Sequence, residues 1–249
     1  MNLSIITVTF NCGEILEACI SSVRSQRDVD VEYIVIDGGS TDSTLNVIRK
    51  NNAAIDQVIS EDDDGLYDAL NKGIALATGD VVGILHSDDF YHDDTVLYKI
   101  ARIFEDPEVQ ACYGDLKYVA PENTDKIVRY WRAGKYKPGK FYWGWMPPHP
   151  TFFVRKSIYE DFGLFNLELG SAADYEIMLR FLLKHNANTV YLPETLVHMR
   201  TGGISNASVA NRLKANVMDR KAWIVNNLKP YPWTLYFKPL RKVLQWVRK

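Results

Sequence analysis

Cysteine is scarce. Cys12, Cys19 and Cys112 are the only three, an odd number with no CxxC pair. That disfavours a disulfide framework or a thiolate zinc site and fits reduced thiols in the cytoplasm. No stretch of about 18 uninterrupted apolar residues occurs, so a transmembrane span is not expected. The opening MNLSII has no basic n-region and reads as a first strand, not a signal peptide. GxGxxG is missing, which removes a dinucleotide oxidoreductase. Excess positive charge is missing too. The 29 basic and 31 acidic residues leave −2 over 249 residues, so nothing invites nucleic acid.

One absence is local. After Asp219 there is no acidic residue, but there are eight basic ones: Arg220, Lys221, Lys229, Lys238, Arg241, Lys242, Arg248 and Lys249. An acidic body with a basic tail implies two different jobs.

What is present is ordinary globular material: 47% apolar and 24% charged residues, in a chain long enough for one large domain or two joined halves. Residues 3–10, 33–37, 57–60 and 81–85 are short apolar runs rich in β-branched residues and read as buried strands. Residues 13–24, 66–77 and 95–104 carry helical spacing, as do those after the Ser40-Thr41-Asp42 turn. This alternation predicts an α/β fold with a Rossmann-like, mostly parallel central sheet and helices on both faces. Ligands in such sheets sit outside the carboxyl ends of the strands. Asp37, Asp88 and Asp89 fall at such ends. Adjacent carboxylates there suit Mg²⁺ or Mn²⁺, which would neutralise a diphosphate leaving group.

From residue 111 the grammar changes. Strands are expected at 111–119, 126–131, 151–154 and 190–192, with helices at 157–162, 174–185 and 207–227. Residues 131–150 are rich in aromatics, Gly and Pro.

SIITVTFN, YIVIDGGSTDST, DGLYDALNKGIALATGD and SDD follow one another in that order. HPTFFVRKSIYEDFGLFN, ADYEIMLR and YLPETLVHMRTGGIS continue the series. Together, over roughly residues 3–205, they resemble family 2 of the glycosyltransferases. The resemblance implies a GT-A fold, an inverting mechanism, a nucleotide-sugar donor with UDP favoured, and Mn²⁺ or Mg²⁺. It divides the chain into a nucleotide-sugar half (1–115), an acceptor half (116–205) and a C-terminal helix with a basic amphipathic tail (206–249).

Carried over position by position, the resemblance places Thr9 and Asn11 in the donor pocket and makes Asp37 the acceptor of nucleobase N–H bonds. Asp64, Asn71 and Lys72 lie beneath the nucleotide, and Asp88 meets the ribose. Asp89 ligates the metal, with His198 as a possible third ligand. Arg200 belongs to a flap over the diphosphate. Asp174 matches the catalytic base. His149, Trp143 and Trp145 are assigned to the acceptor. This sequence departs from the pattern at His86, Ala173 and Gly38, where the family often has acidic residues.

The tail interleaves aromatic and basic residues, with Leu240, Val243, Leu244 and Val247 on one helical face. It fits an interfacial helix on anionic lipid, and so a peripheral protein on the inner face of the cell membrane with a lipid-linked saccharide acceptor, as in lipopolysaccharide or other surface glycan synthesis. A helix packed on the domain or an oligomer seam is the alternative. Two other function classes compete: a non-catalytic nucleotide-sugar module, and a sugar nucleotidyltransferase. The second would want an Arg-containing, Gly-rich loop after the first strand, where Asn11-Cys12-Gly13-Glu14 stands.

Overall fold

The computed structural model describes residues 1–202 and 209–247, with side chains for 1–202 and 216–241. Its first half alternates β1 (Asn2–Thr9), α1 (Leu16–Arg24), β2 (Asp30–Asp37), α2 (Thr44–Lys50), β3 (Gln57–Ser60), α3 (Leu66–Leu76) and β4 (Val81–Ile84). The four strands pair in parallel in the order β3-β2-β1-β4. The strand period of two decides which side chain goes where. Ile6, Val8, Ile34 and Ile36 enter a core on one face, and Leu3, Ile5, Tyr33 and Val35 one on the other. Burial on both faces is why these strands are apolar throughout rather than alternating.

β5 (Asp89–Tyr91), α4 (Val96–Phe104), β6 (Ala111–Ala120), β7 (Asn123–Trp131), β8 (Phe153–Arg155), α5 (Lys156–Phe162), α6 (Ala173–Met178) and β9 (Thr189–Arg200) follow. They extend the same sheet as β4-β8-β6-β9-β5, with β7 on β6. β8 runs antiparallel to both β4 and β6, and β9 is parallel to β6. The expected α/β sheet with helices on both faces is present, its second half mixed in direction. Two helices close the chain, α7 (Val209–Val225) and α8 (Thr234–Val247). No helix among the described residues is long and apolar enough to cross a membrane.

Three boundaries differ from the sequence expectation. β9 runs on from residue 192 to Arg200, through Pro193, where its register on β6 shifts. Asp89 opens β5 rather than lying in a loop. α8 starts ahead of Pro239 instead of at it. Thr234 anchors that start, fully buried with its hydroxyl donating to the Tyr142 carbonyl at 2.7 Å.

At Gly83 in β4, any Cβ would collide with the Phe153 ring of β8, in a core already filled by Ile5. Gly83→Ala should therefore destabilise by about 1–3 kcal/mol through overpacking. A lower urea midpoint with unchanged slope is the expected readout.

Candidate active site

The carboxyl ends of β1, β2 and β4 form one rim. Thr9 closes β1 with its Oγ1 buried and without a partner. Asp37 closes β2 and has no accessible surface. Its Oδ2 accepts from the Ser40 amide (3.0 Å) and the Ser60 hydroxyl (2.7 Å), and its Oδ1 from the Ser40 hydroxyl. Asn11 holds the same loop from the other side. It adopts a left-handed φ of 50°, which Asn tolerates, and its amide oxygen accepts from Thr41 (2.9 Å) and Asp42 (3.3 Å). Asp37 and Asn11 therefore organise the β2–α2 loop. Direct contact of a base with Asp37 requires the serines to yield. At the departure Gly38, the neighbouring group is the Asp63 carboxylate, whose Oδ2 a Cβ would meet at 2.5 Å.

Past β4, Asp88 is half-buried and Asp89 fully buried. Neither oxygen of Asp89 has a hydrogen-bond partner. Burial, with the Asp88 charge beside it, raises the Asp89 carboxyl well above its usual range, against the opposing charge of Arg200. Arg200 donates to the Asp88 carbonyl at 2.7 Å and lies over the Phe90 ring. This braces the carboxylate turn. His198 and Arg200, the residues expected to form a flap over the diphosphate, lie in β9.

The pleat corrects the reading of His198. Asp89 pairs with Met199 and Phe90 with His198. Residues directly opposite share a face, and successive residues alternate. The His198 ring lies edge-on to Phe90 at 5.2 Å, so it is on the face opposite Asp89. There its Nε2 sits 3.0 Å from His92 Nδ1, and burial, with His92 and Lys117 adding to it, pushes its pKa down to about 4. It is not a partner of Asp89 in ligation. Among the described residues, no three His, Cys, Asp or Glu side chains converge on a metal site.

A narrow cleft lies beside the rim. His86, His149, Asp174 and Tyr67 give it polarity over an apolar floor that includes Leu70, Ile84 and Phe165. Asp174 stands in the first turn of α6. Its Oδ1 accepts from the Tyr175 amide (2.7 Å), and Oδ2 lies 3.4 Å from His149 Nδ1. His149 in turn meets the His86 ring edge-on at 5.3 Å. Burial and the neighbouring His149 hold His86 below its usual pKa, while the charges of Asp88 and Asp174 both oppose this. His86 lines the cleft and, just past β4, leads into the Asp88–Asp89 turn. Burial and the Asp174 charge push the Tyr67 hydroxyl up. Sequence reasoning named His86 only as a departure and passed over Tyr67, although Tyr67 lies inside the DGLYDALNKG motif.

Three other expected contacts come out differently. Asn71 is a clamp: its amide donates to the Phe165 carbonyl and accepts from the Phe165 amide, both at 2.9 Å. Both ends are spent on backbone 94 residues away. Lys72 is held by Glu61 (2.8 Å) and Asp68 (3.3 Å) rather than presented to a phosphate. Trp145 is core. Its indole N–H donates to the Ala133 carbonyl (2.8 Å) and its ring stacks on Tyr136, so no saccharide reaches it. Asp64 is exposed in the turn before α3, and Trp143 is exposed against Trp233 and Phe237 near α8. Asn71→Ala should cost about 1–3 kcal/mol by stranding the two Phe165 groups. The expected result is a lower melting temperature with an unchanged donor KM. A raised KM at unchanged stability would restore the expected role beneath the nucleotide.

Residues 4–163 match the family described as Glycosyl transferase family 2. The chain belongs to that family. It is 31% identical over 211 residues to the PGL/p-HBAD biosynthesis glycosyltransferase of Mycobacterium bovis (strain BCG / Pasteur 1173P2), covering 83% of this chain and 80% of that one. Among solved structures, S. aureus TarS 1–349 in complex with UDP-GlcNAc superposes with a TM-score of 0.67 at 19% identity, covering 92% of this chain and 68% of that one. The mannosyltransferase PcManGT from Pyrobaculum calidifontis, in complex with GDP-Man and Mn²⁺, gives 0.65 at 18%, covering 97% and 69%. These likenesses establish the GT-A-type fold of this family 2 glycosyltransferase. The chain spans 39% of a longer TarS chain.

Proposed function

We propose that this family 2 glycosyltransferase transfers a sugar, with inversion, from a UDP-linked donor at the β1/β2/β4 rim to an acceptor hydroxyl in the cleft beside Asp174. The observation that carries the reading is the place of His86: it lines the cleft with His149 and Asp174, and it stands two residues before Asp88 just past the end of β4. Displacement with inversion needs such an arrangement, with the leaving diphosphate on one side of the anomeric carbon and a base on the other. Asp37 and its serine partners form the floor for a nucleobase that offers ring N–H donors, as uracil does. Thr9, Asn11 and Asp64 shape the same pocket, and Asp88 meets the ribose.

A divalent cation fits this rim, because the two buried, unpartnered oxygens of Asp89 need a positive partner. Asp89 would hold it, with water and donor phosphates completing its oxygen shell. When bound, the ion supplies charge neutralisation for the departing diphosphate. Across the cleft, Asp174 takes the proton of the attacking hydroxyl on Oδ2, and His149 fixes that carboxylate from the acceptor side. The nucleotides in the TarS and PcManGT complexes, and the Mn²⁺ in the latter, support a metal-assisted diphosphate donor.

Calorimetric titration of UDP and GDP, each with Mn²⁺ or with EDTA, tests the donor side. UDP should bind more tightly than GDP and lose its affinity in EDTA. Equal affinity in both conditions would remove the metal from the rim.

A further inference from the structure

The last helix is turned the wrong way round for a packing element. α8 buries Thr234 and Leu235 and half-buries its cation Lys238, whose ammonium meets both oxygens of Asp219 at 2.7 and 2.8 Å. Its outward face carries Tyr236 at 70% exposure and Leu240 at 54%. They are four residues apart, hence on one stripe. Trp233, just before the helix, continues the stripe at 42% exposure, and Trp143 lies beside it at 48%, ring centroids 6.0 Å apart. A surface helix normally hides its apolar stripe. Here an aromatic and aliphatic patch faces outward, built from two segments of chain.

We propose that this patch is a docking face for an anionic lipid surface. The choice of occupant rests on charge. No acidic residue follows Asp219, and Lys238 neutralises Asp219 itself. From Lys229 on, the sequence supplies Lys229, Arg241, Lys242, Arg248 and Lys249 besides Lys238. Trp and Tyr suit a boundary that is apolar on one side and wet on the other, and basic residues add Coulomb attraction to anionic headgroups. A second copy of the chain fits worse, because in an isologous contact the segment after Asp219 has no carboxylate to offer the like-charged segment of its partner.

The face is also mechanically tied to the site. Lys238 Nζ lies 3.7 Å from the centre of the Tyr175 ring, and Tyr175 follows Asp174 directly. Docking α8 would thus hold α6, which carries Asp174, close to the docked face, which suits a lipid-linked saccharide as acceptor. That last step rests on the proposed function of the cleft; the docking face itself does not.

The test is co-sedimentation of the full chain with phosphatidylcholine vesicles, with and without phosphatidylglycerol, at low and high salt. Binding is expected only with the anionic lipid and should weaken with salt. Tyr236→Ser with Leu240→Ser should lower the partition coefficient on the order of a hundredfold, about tenfold per lost apolar side chain. Both positions are exposed, so the melting temperature and UDP affinity should hold. No binding to anionic vesicles at low salt would overturn the proposal. So would a concentration-dependent dimer in solution that the same double substitution dissolves. Failure of the cleft reading is separable, because it appears as absent donor turnover whatever the vesicles do.

Discussion

Asp174→Asn should leave UDP binding intact and cut transfer on the order of 10²–10⁴-fold. The side chain sits in the cleft, away from the unpartnered Asp89, so the donor rim should not sense the change. Asn keeps the shape and the bond from the Tyr175 amide but cannot take a proton. Single-turnover rates with saturating donor give the readout. A near wild-type rate would move the base elsewhere, and Glu176 is a poor substitute. It is buried, paired with Arg180 at 2.9 Å and bonded by Asn226 at 2.9 Å. His149, 3.4 Å from Asp174, is the group that would inherit the role.

Asp89→Asn should have opposite effects in two conditions. Without metal, burial and the Asp88 charge disfavour the ionised Asp89 despite the Arg200 charge, whereas an amide carries no charge to bury. The variant should therefore melt higher, by about 2–4 °C for about 1 kcal/mol in a chain of this size. With Mn²⁺ and UDP together, the wild type should gain stability by mass action and the variant should not. UDP belongs in the test because no three-ligand protein cage exists among the described residues to hold the ion alone. Differential scanning fluorimetry in the four conditions reads both effects. An equal shift on adding Mn²⁺ and UDP to both proteins would take the cation away from Asp89.

How much of this was legible depended on whether it followed from local pattern. The parallel half of the sheet was, because strands buried on both faces write themselves as unbroken apolar runs. The rim carboxylates followed, since Asp37 and Asp88 mark where those runs stop. The His198 reading failed because Asp89 begins a strand of its own. A three-residue strand has too little pattern to announce itself, yet its pleat sends neighbouring side chains to opposite faces. Asn71 and Trp145 misled for another reason. Their partners are backbone groups of Phe165 and Ala133, which no side-chain pattern encodes. The clustering of Tyr67, His86 and His149 around Asp174 joins four distant segments and needed the fold. In the tail, the apolar face containing Leu240 was readable from its spacing. That Leu240 itself is exposed, together with Tyr236, was not, because amphipathic spacing says which residues share a stripe and not what covers it.

The most direct test of the account is donor turnover by the full chain, screened across UDP-, GDP- and dTDP-sugars with Mn²⁺ and again with EDTA. The account predicts release of UDP from a UDP-sugar, dependent on the cation and abolished by Asp89→Asn. Tight, metal-dependent nucleotide binding with no turnover of any donor, even with saccharide acceptors added, would contradict it and leave a binding module on a transferase fold.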